Sequence, residues 1–181
     1  EGSGRYWRVK WRIRLMSKGE KENFSLMVCL SPSAGPILVA GGGPVALRKI
    51  GTLLEGGADV TLVSPSAVPE LQALAEEGRI VWERRTVERK DFENHRFALL
   101  ALPRRETESA AALAGTTGCL LNCCGAQELG SWSLAAQFRW KEFLIGTGTF
   151  GKKPAGAAAL KRRLLDWLRK TEPEEEKENH S

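Results

Sequence analysis

Apolar and polar positions along this chain follow three rhythms. From Tyr6 to Leu15 the alternation is strict, with Trp7, Val9, Trp11, Ile13 and Leu15 set against Arg8, Lys10, Arg12 and Arg14. That is the period of a strand with one apolar and one basic face. Between residues 26 and 124 the rhythm changes to short continuous apolar runs, at 26–30, 36–40, 59–63, 80–85, 97–102 and 119–124. Runs of this kind read as strands buried on both faces. Helical patterns lie between them: 44–55, with Val45, Ile50, Leu53 and Leu54 as its buried face and Gly56-Gly57 as its stop; 68–77, with Leu71, Leu74 and Ala75 on one side; and 106–116, rich in alanine. Beyond Cys124 the rhythm breaks. Residues 125–130 read as loop, 131–139 fit neither period, 142–147 read as strand, and a helix from Pro154 to about Lys170 would turn Leu160, Leu164, Leu165 and Trp167 inward.

Strands alternating with helices predict an α/β fold with a parallel sheet covered by helices on both faces. Met16 opens a polar stretch that would make a natural start, so residues 1–15 are expected to stand outside the core. Residues 171–181 carry five Glu and one Lys and are expected to form an acidic, disordered tail.

The first run ends in Ala40-Gly41-Gly42-Gly43-Pro44-Val45-Ala46, so a glycine cluster sits between a strand and a helix. Gly41-x-Gly43-x-x-Ala46 fits the dinucleotide fingerprint, in which the first glycine makes the tight turn and the second lets backbone approach a pyrophosphate. The third position needs only a small residue. Pro44 suits the first helical turn, where its missing N–H had no partner to lose. The helix's first N–H groups and its dipole would then favour phosphate.

The net charge of +5 changes this picture little. Residues 1–15 are strongly basic and the tail acidic, while the basic residues between are scattered, without the aromatic interleaving that tracks a nucleic acid backbone. Anionic small molecules remain suitable partners, and nucleic acid does not. No apolar run approaches a membrane span and no charged-then-apolar leader is visible, so the expected location is the cytoplasm. Three of the four cysteines, Cys119, Cys123 and Cys124, share one apolar run, which reads as reduced and packed rather than as a disulfide framework. Cys123 and Cys124, being adjacent on a strand, would face opposite ways and could not easily hold one ion together. His95 and His180 lie in polar stretches without partners that would suggest catalysis.

Three segments taken together resemble a known family. Gly41-Gly42-Gly43-Pro44-Val45-Ala46-Leu47-Arg48-Lys49, then 53–65 (Leu-Leu-Glu-Gly-Gly-Ala-Asp-Val-Thr-Leu-Val-Ser-Pro), then 71–78 (Leu-Gln-Ala-Leu-Ala-Glu-Glu-Gly) are similar to the N-terminal module of siroheme synthase. The resemblance covers about residues 24–168. It implies a Rossmann-like domain at 26–125, a dimerising segment and C-terminal helix within 126–170, and a homodimer. It further implies NAD-dependent oxidation of the tetrapyrrole precorrin-2 to sirohydrochlorin. Gly41, Gly42, Gly43, Pro44, Val45, Ala46, Pro65 and Ser66 fall at its dinucleotide contacts, and Asn122, Thr149 and Lys152 are candidates for substrate contact. Arg104, Arg105, Lys152 and Lys153 could meet the substrate's carboxylates.

The departures from the family pattern matter as much. No acid follows the second strand to grip a ribose, so NAD rather than NADP rests on resemblance. The family's Asn-Val-Val-Asp is Asn122-Cys123-Cys124-Gly125 here, and its Ala-Ala-Thr-Asp is Leu100-Ala101-Leu102-Pro103-Arg104 in part. Its serine-rich Ser-Gly-Gly-x-Ser-Pro turn is Thr149-Phe150-Gly151-Lys152-Lys153-Pro154. Glycine at 125 can neither accept a proton nor hold iron, so little ferrochelatase activity and no protein metal site are expected. A catalytically lapsed module that binds NAD and partners another tetrapyrrole enzyme is the alternative. No Tyr-x-x-x-Lys pair points to a different oxidoreductase.

Overall fold

The computed structural model describes residues 27–149 and 153–171. The strand with a basic face expected at 6–15, the rest of residues 1–25 expected as an N-terminal extension, Lys152 and the acidic tail expected at 171–181, from residue 172 on, lie outside the described residues.

Five strands form one parallel sheet: β1 (Ile37–Ala40), β2 (Val60–Val63), β3 (Val81–Glu83), β4 (Phe97–Leu100) and β5 (Leu120–Cys123), in spatial order β3-β2-β1-β4-β5. The order reverses at β1, which pairs with β2 on one side and β4 on the other, Ala40 standing opposite Val63 and Leu100. Helices α1 (Pro44–Glu55) and α2 (Pro69–Glu76) follow β1 and β2. Helices α3 (Arg89–Asn94) and α4 (Arg104–Ala114) follow β3 and β4.

Because both faces are covered, every residue of β1 is buried. Alternate residues feed two separate cores. Leu38, Ala40, Val63, Leu100, Leu121 and Cys123 pack with Phe92 and Ala110 of α3 and α4. Ile37, Val39, Leu62 and Leu99 pack with Ala46, Ile50 and Leu53 of α1 and Leu71 of α2. Each fully buried Leu or Ile side chain among these stabilises the fold by roughly 1.5–3 kcal/mol.

Helix α1 starts at Pro44 after Gly43, whose backbone is extended, and ends in a Schellman motif, with the Gly57 N–H on the Leu54 carbonyl and the Ala58 N–H on the Leu53 carbonyl. Val45 is exposed rather than buried, because a first-turn residue on that side has the solvent-open end of the sheet beside it, and Ala46 takes the buried position instead. Helix α3 stands where the sequence reads as polar loop. Its six residues bury only Asp91 and Phe92, too few for a visible period. A capping box holds it: the Glu88 N–H donates to Asp91 Oδ2 at 2.7 Å, and the Glu88 side chain accepts from the Asp91 N–H. Asp91 also receives both Arg85 amino groups, at 2.6 and 2.8 Å, while Arg85 pairs with Glu83 as well. Burial pushes the Asp91 carboxyl up, but Arg85 and the Glu88 N–H outweigh it and hold the group below the ordinary carboxylate range.

The strand expected at 26–30 is not formed in its described part. Residues 27–30 have no ladder partner and expose Met27, Val28 and Leu30, both flanks of β1 being already taken. Residues 131–139, which fit neither period, split: Ser131 and Trp132 run along the outer edge of β5, and β6 (Ala136–Trp140) begins four residues later. At that edge the Leu121 carbonyl accepts the N–H groups of Ser131 and Trp132, the Ser131 hydroxyl accepts from the Leu121 N–H, and Trp132 Nε1 donates to the Leu120 carbonyl. Trp132 also meets Phe97 edge to face.

The second unit is an antiparallel hairpin of β6 and β7 (Phe143–Thr147), followed by α5 (Pro154–Thr171) packed on both strands. Thr147 Oγ1 bonds carbonyls on each side, Ala136 in the hairpin and Ala157 in the helix. The inward face expected for α5 is not realised within one chain. Leu160 is 47% exposed and Trp167 60%, with Leu164 and Leu165 only partly covered, because the two-stranded hairpin is too narrow to cover an 18-residue helix.

Candidate functional site

The reversal of strand order at β1 leaves a crevice at the carboxyl ends of β1, β2 and β4. Three chain segments close around it. The glycine turn 41–43 leads into α1. Gly41 has φ +106°, and a Cβ there would stand 2.4 Å from the Ala101 carbonyl oxygen, so only glycine lets the β4 loop pass so close. The segment Ser64–Val68, between β2 and α2, folds over Gly42: the Val68 N–H donates to the Gly42 carbonyl at 2.9 Å, and a Cβ on Gly42 would lie 2.0 Å from the Ser66 carbonyl oxygen. Internal bonds hold that segment, with Ser64 Oγ donating to the Ser66 carbonyl, Gln72 Nε2 to the Ala67 carbonyl and Trp82 Nε1 to the Ser64 carbonyl. Arg84 lies over the Trp82 ring, its guanidinium carbon 4.3 Å from the ring centre. The third segment is Ala101–Pro103, tied to β1 by the Ala101 N–H on the Ala40 carbonyl.

The cleft they enclose has a volume of about 520 Å³, which suits a nucleotide-sized ligand. Its walls are Gly41–Gly43, Ser64–Val68, Ala101–Pro103 and Glu106. Gly43 differs from its two neighbours. A Cβ there would meet no atom within 4 Å, so its missing side chain leaves free space in the cleft wall rather than admitting another part of the protein. The first turn of α1 follows at once, and Leu47 is the first residue whose N–H reaches back to Gly43. The N–H groups of Val45 and Ala46, ahead of it, have no backbone acceptor within the helix and carry the positive end of the dipole. A phosphate fits these residues: backbone donors, a favourable dipole, and a gap where a side chain would stand.

The sequence model of a family described as putative NAD(P)-binding matches residues 28–136. Precorrin-2 dehydrogenase of Bacillus subtilis is 36% identical over 118 residues, covering 65% of this chain and 73% of that protein. The chain belongs to the precorrin-2 dehydrogenase and siroheme synthase family. Siroheme synthase of Methylococcus capsulatus is 32% identical over 130 residues, covering 71% of this chain but 27% of that longer protein. Among solved structures, SirC, a precorrin-2 dehydrogenase, aligns with a TM-score of 0.67 at 25% identity, covering 83% of this chain and 72% of that one.

Of the residues singled out by sequence, the structure gathers Gly41, Gly42, Gly43, Pro65 and Ser66 around the cleft. Pro44 and Val45 are exposed at the start of α1, and Ala46 is buried beneath them. Gly125 follows β5 with φ +83° and open space around its Cα, outside the cleft walls. Asn122 is buried on the α1 face of the sheet, and its Nδ2 has no hydrogen-bond partner among the described residues. The Thr149 hydroxyl accepts from the Lys153 N–H at 2.9 Å, just ahead of α5. Arg104 is engaged by carboxylates of this chain, with Nε on Glu108 at 3.0 Å and an amino group on Glu128 at 2.6 Å.

Cys123 packs in one core and Cys124 against the other. Burial pushes the thiol of each above its ordinary value, and that of Cys119 to about 11, so all three stay protonated and poorly nucleophilic at neutral pH. His95 closes α3, its Nδ1–H donating to the Asp91 carbonyl. Sequence reasoning missed the far wall of the cleft, above all Glu106. It starts the helix at Glu106, whereas α4 begins at Arg104 and carries Glu106 in its first turn beside the cleft. The signal available was positional, since the loops after β2 and β4 of a doubly wound sheet meet at the reversal point.

Proposed function

We propose that this protein oxidises precorrin-2 to sirohydrochlorin with NAD as its cofactor, in the cytoplasm and as a homodimer. The observation that carries the reading is the cleft built on Gly41–Gly43 in a chain of this family. Gly41 and Gly42 would shape the turn, Gly43 would give the pyrophosphate room, and the N–H groups of Val45 and Ala46 would bind it, with Pro65 and Ser66 beside the adenosine. When bound, the nicotinamide would supply the hydride acceptor. Asn122, Thr149 and Lys152 are the proposed substrate contacts. What supports Asn122 is its Nδ2, a buried donor with no acceptor among the described residues.

The proton lost with the hydride meets no carboxylate at position 125. A general base contributes roughly 10²- to 10⁴-fold, so oxidation without one would be slow but not abolished. Ferrous chelation is not part of this proposal. The homodimer reading draws support from the exposed apolar side chains of the hairpin unit, Phe143, Leu144, Leu160 and Trp167.

A second reading is favoured by Gly125 itself: a module that binds the dinucleotide but no longer turns over. Anaerobic incubation of the full chain with precorrin-2 and NAD, following NADH and the sirohydrochlorin spectrum, separates the two. Turnover is the expected result. NAD binding without turnover would transfer the conclusion to the second reading, and no binding would remove both. In Gly125→Asp, the positive φ costs roughly 1 kcal/mol of stability, and turnover should rise tenfold or more if a base is what the site lacks.

A further inference from the structure

The acid that usually grips the adenosine ribose is missing from its usual place. The strand β2 is followed by Ser64-Pro65-Ser66, and the Ser64 hydroxyl is committed to the Ser66 carbonyl. The cleft is nevertheless not without a carboxylate. Of the residues that form its walls, Glu106 is the one with an ionisable side chain, and it lines the same cleft as Ser64–Val68 from a different segment, the start of α4. Its neighbours on α4 and beyond are occupied elsewhere: Glu108 and Glu128 both pair with Arg104, and none of the three lines the cleft. Among the described residues Glu106 makes no such pair. It sits in the first turn of α4, and Pro103 at the helix start provides no side-chain cap.

A dinucleotide whose pyrophosphate lies on the glycine turn places its adenosine ribose against the end of β2. The cleft is bounded there by Ser64–Ser66 on one side and by Ala101–Pro103 and Glu106 on the other. A carboxylate on that second wall is an acceptor for a ribose hydroxyl, and the same charge repels a phosphate esterified to it. We infer that Glu106 reads the adenosine ribose from the opposite wall of the cleft, in place of the acid absent after β2, and so selects NAD over NADP. This rests on the dinucleotide reading above and adds the residue that sets its specificity.

The test is calorimetric titration of the full-length protein and its variants with NAD and with NADP, at low and at high salt. The unaltered protein should prefer NAD by about tenfold or more, the ratio that one charge-assisted contact sets. The preference should shrink as salt screens the repulsion. Glu106→Gln, which keeps an acceptor but removes the charge, should leave NAD affinity within a few-fold and raise NADP affinity by about tenfold, and Glu106→Lys should invert the preference. Glu108→Gln, on the same helix but facing Arg104, should leave the ratio unchanged. Equal affinity of the unaltered protein for both nucleotides, or a ratio that Glu106→Gln does not move, would overturn the assignment while leaving the dinucleotide site standing. Binding of neither nucleotide would overturn both. Circular dichroism of each variant confirms that the helix and sheet persist.

Discussion

The parallel sheet and the hairpin unit solve the same problem differently. In the central strands of the sheet, apolar residues meet apolar residues of the same chain and every residue of β1 is buried, while Val81 and Leu120 on the edge strands stay exposed. In the hairpin and α5, Ala157 and Phe138 are buried, yet Phe143, Leu144, Leu160 and Trp167 remain exposed. The core of the sheet is complete within a single chain. The hairpin unit carries a surface whose composition asks for cover, which is why the proposed homodimer is placed there and not on the sheet. Site geometry belongs to the complete half, so it should form before and without any association.

The contrast can be broken most forcefully inside the sheet. Gly42→Ala drives a methyl group into the Ser66 carbonyl and should cost about 3 kcal/mol in denaturant unfolding, with loss of dinucleotide binding. Gly43→Ala, one residue on, meets nothing and should change stability by less than about 1 kcal/mol while still weakening the dinucleotide tenfold or more. Equal destabilisation by the two would refute the division between a glycine that admits the protein and one that admits a ligand.

Next in size is Asp91→Asn, which removes one partner of a largely buried ion pair and should cost about 2–3 kcal/mol at neutral pH. Because the folded-state carboxyl is depressed, its contribution is complete above the unfolded value of about 3.9 and is lost as pH falls through the lower folded value. Acid titration of stability should therefore be flatter in the variant below about pH 4. On the hairpin, Phe143→Asp should weaken self-association by about 2 kcal/mol in sedimentation equilibrium and leave NAD binding intact. Loss of both together would mean that the two halves are not independent. The smallest effect is expected at Ser131→Ala, about 1 kcal/mol, from the Leu121 N–H left without its acceptor.

What the sequence made legible follows the same division. The strands β1, β2, β4 and β5 were visible because continuous apolar runs have few alternatives once helices flank them, and the glycine turn was visible because its residue types are demanded by geometry. Helix α3 was not, because Arg89–Asn94 offers a single large apolar residue, Phe92, and is held by capping and an ion pair. The orientation of α5 was misread because an amphipathic pattern says which face is apolar but not what lies against it. Half of the cleft was readable from local motif. Glu106 was not, since it reaches the cleft through the pairing of β1 with β4, a contact across some sixty residues that no local window contains.

The bonds that Ser131 and Trp132 make along β5 have a consequence for how the protein behaves at high concentration. A parallel sheet ordinarily ends in a row of unpaired amides that can template the addition of a foreign strand. Here one border is occupied by the chain's own backbone and a tryptophan, and the other is β3, three residues long and followed by Arg84 and Arg85. Neither border suits open-ended growth, so crowding should drive this molecule towards closed assemblies through its hairpin rather than towards fibrils through its sheet.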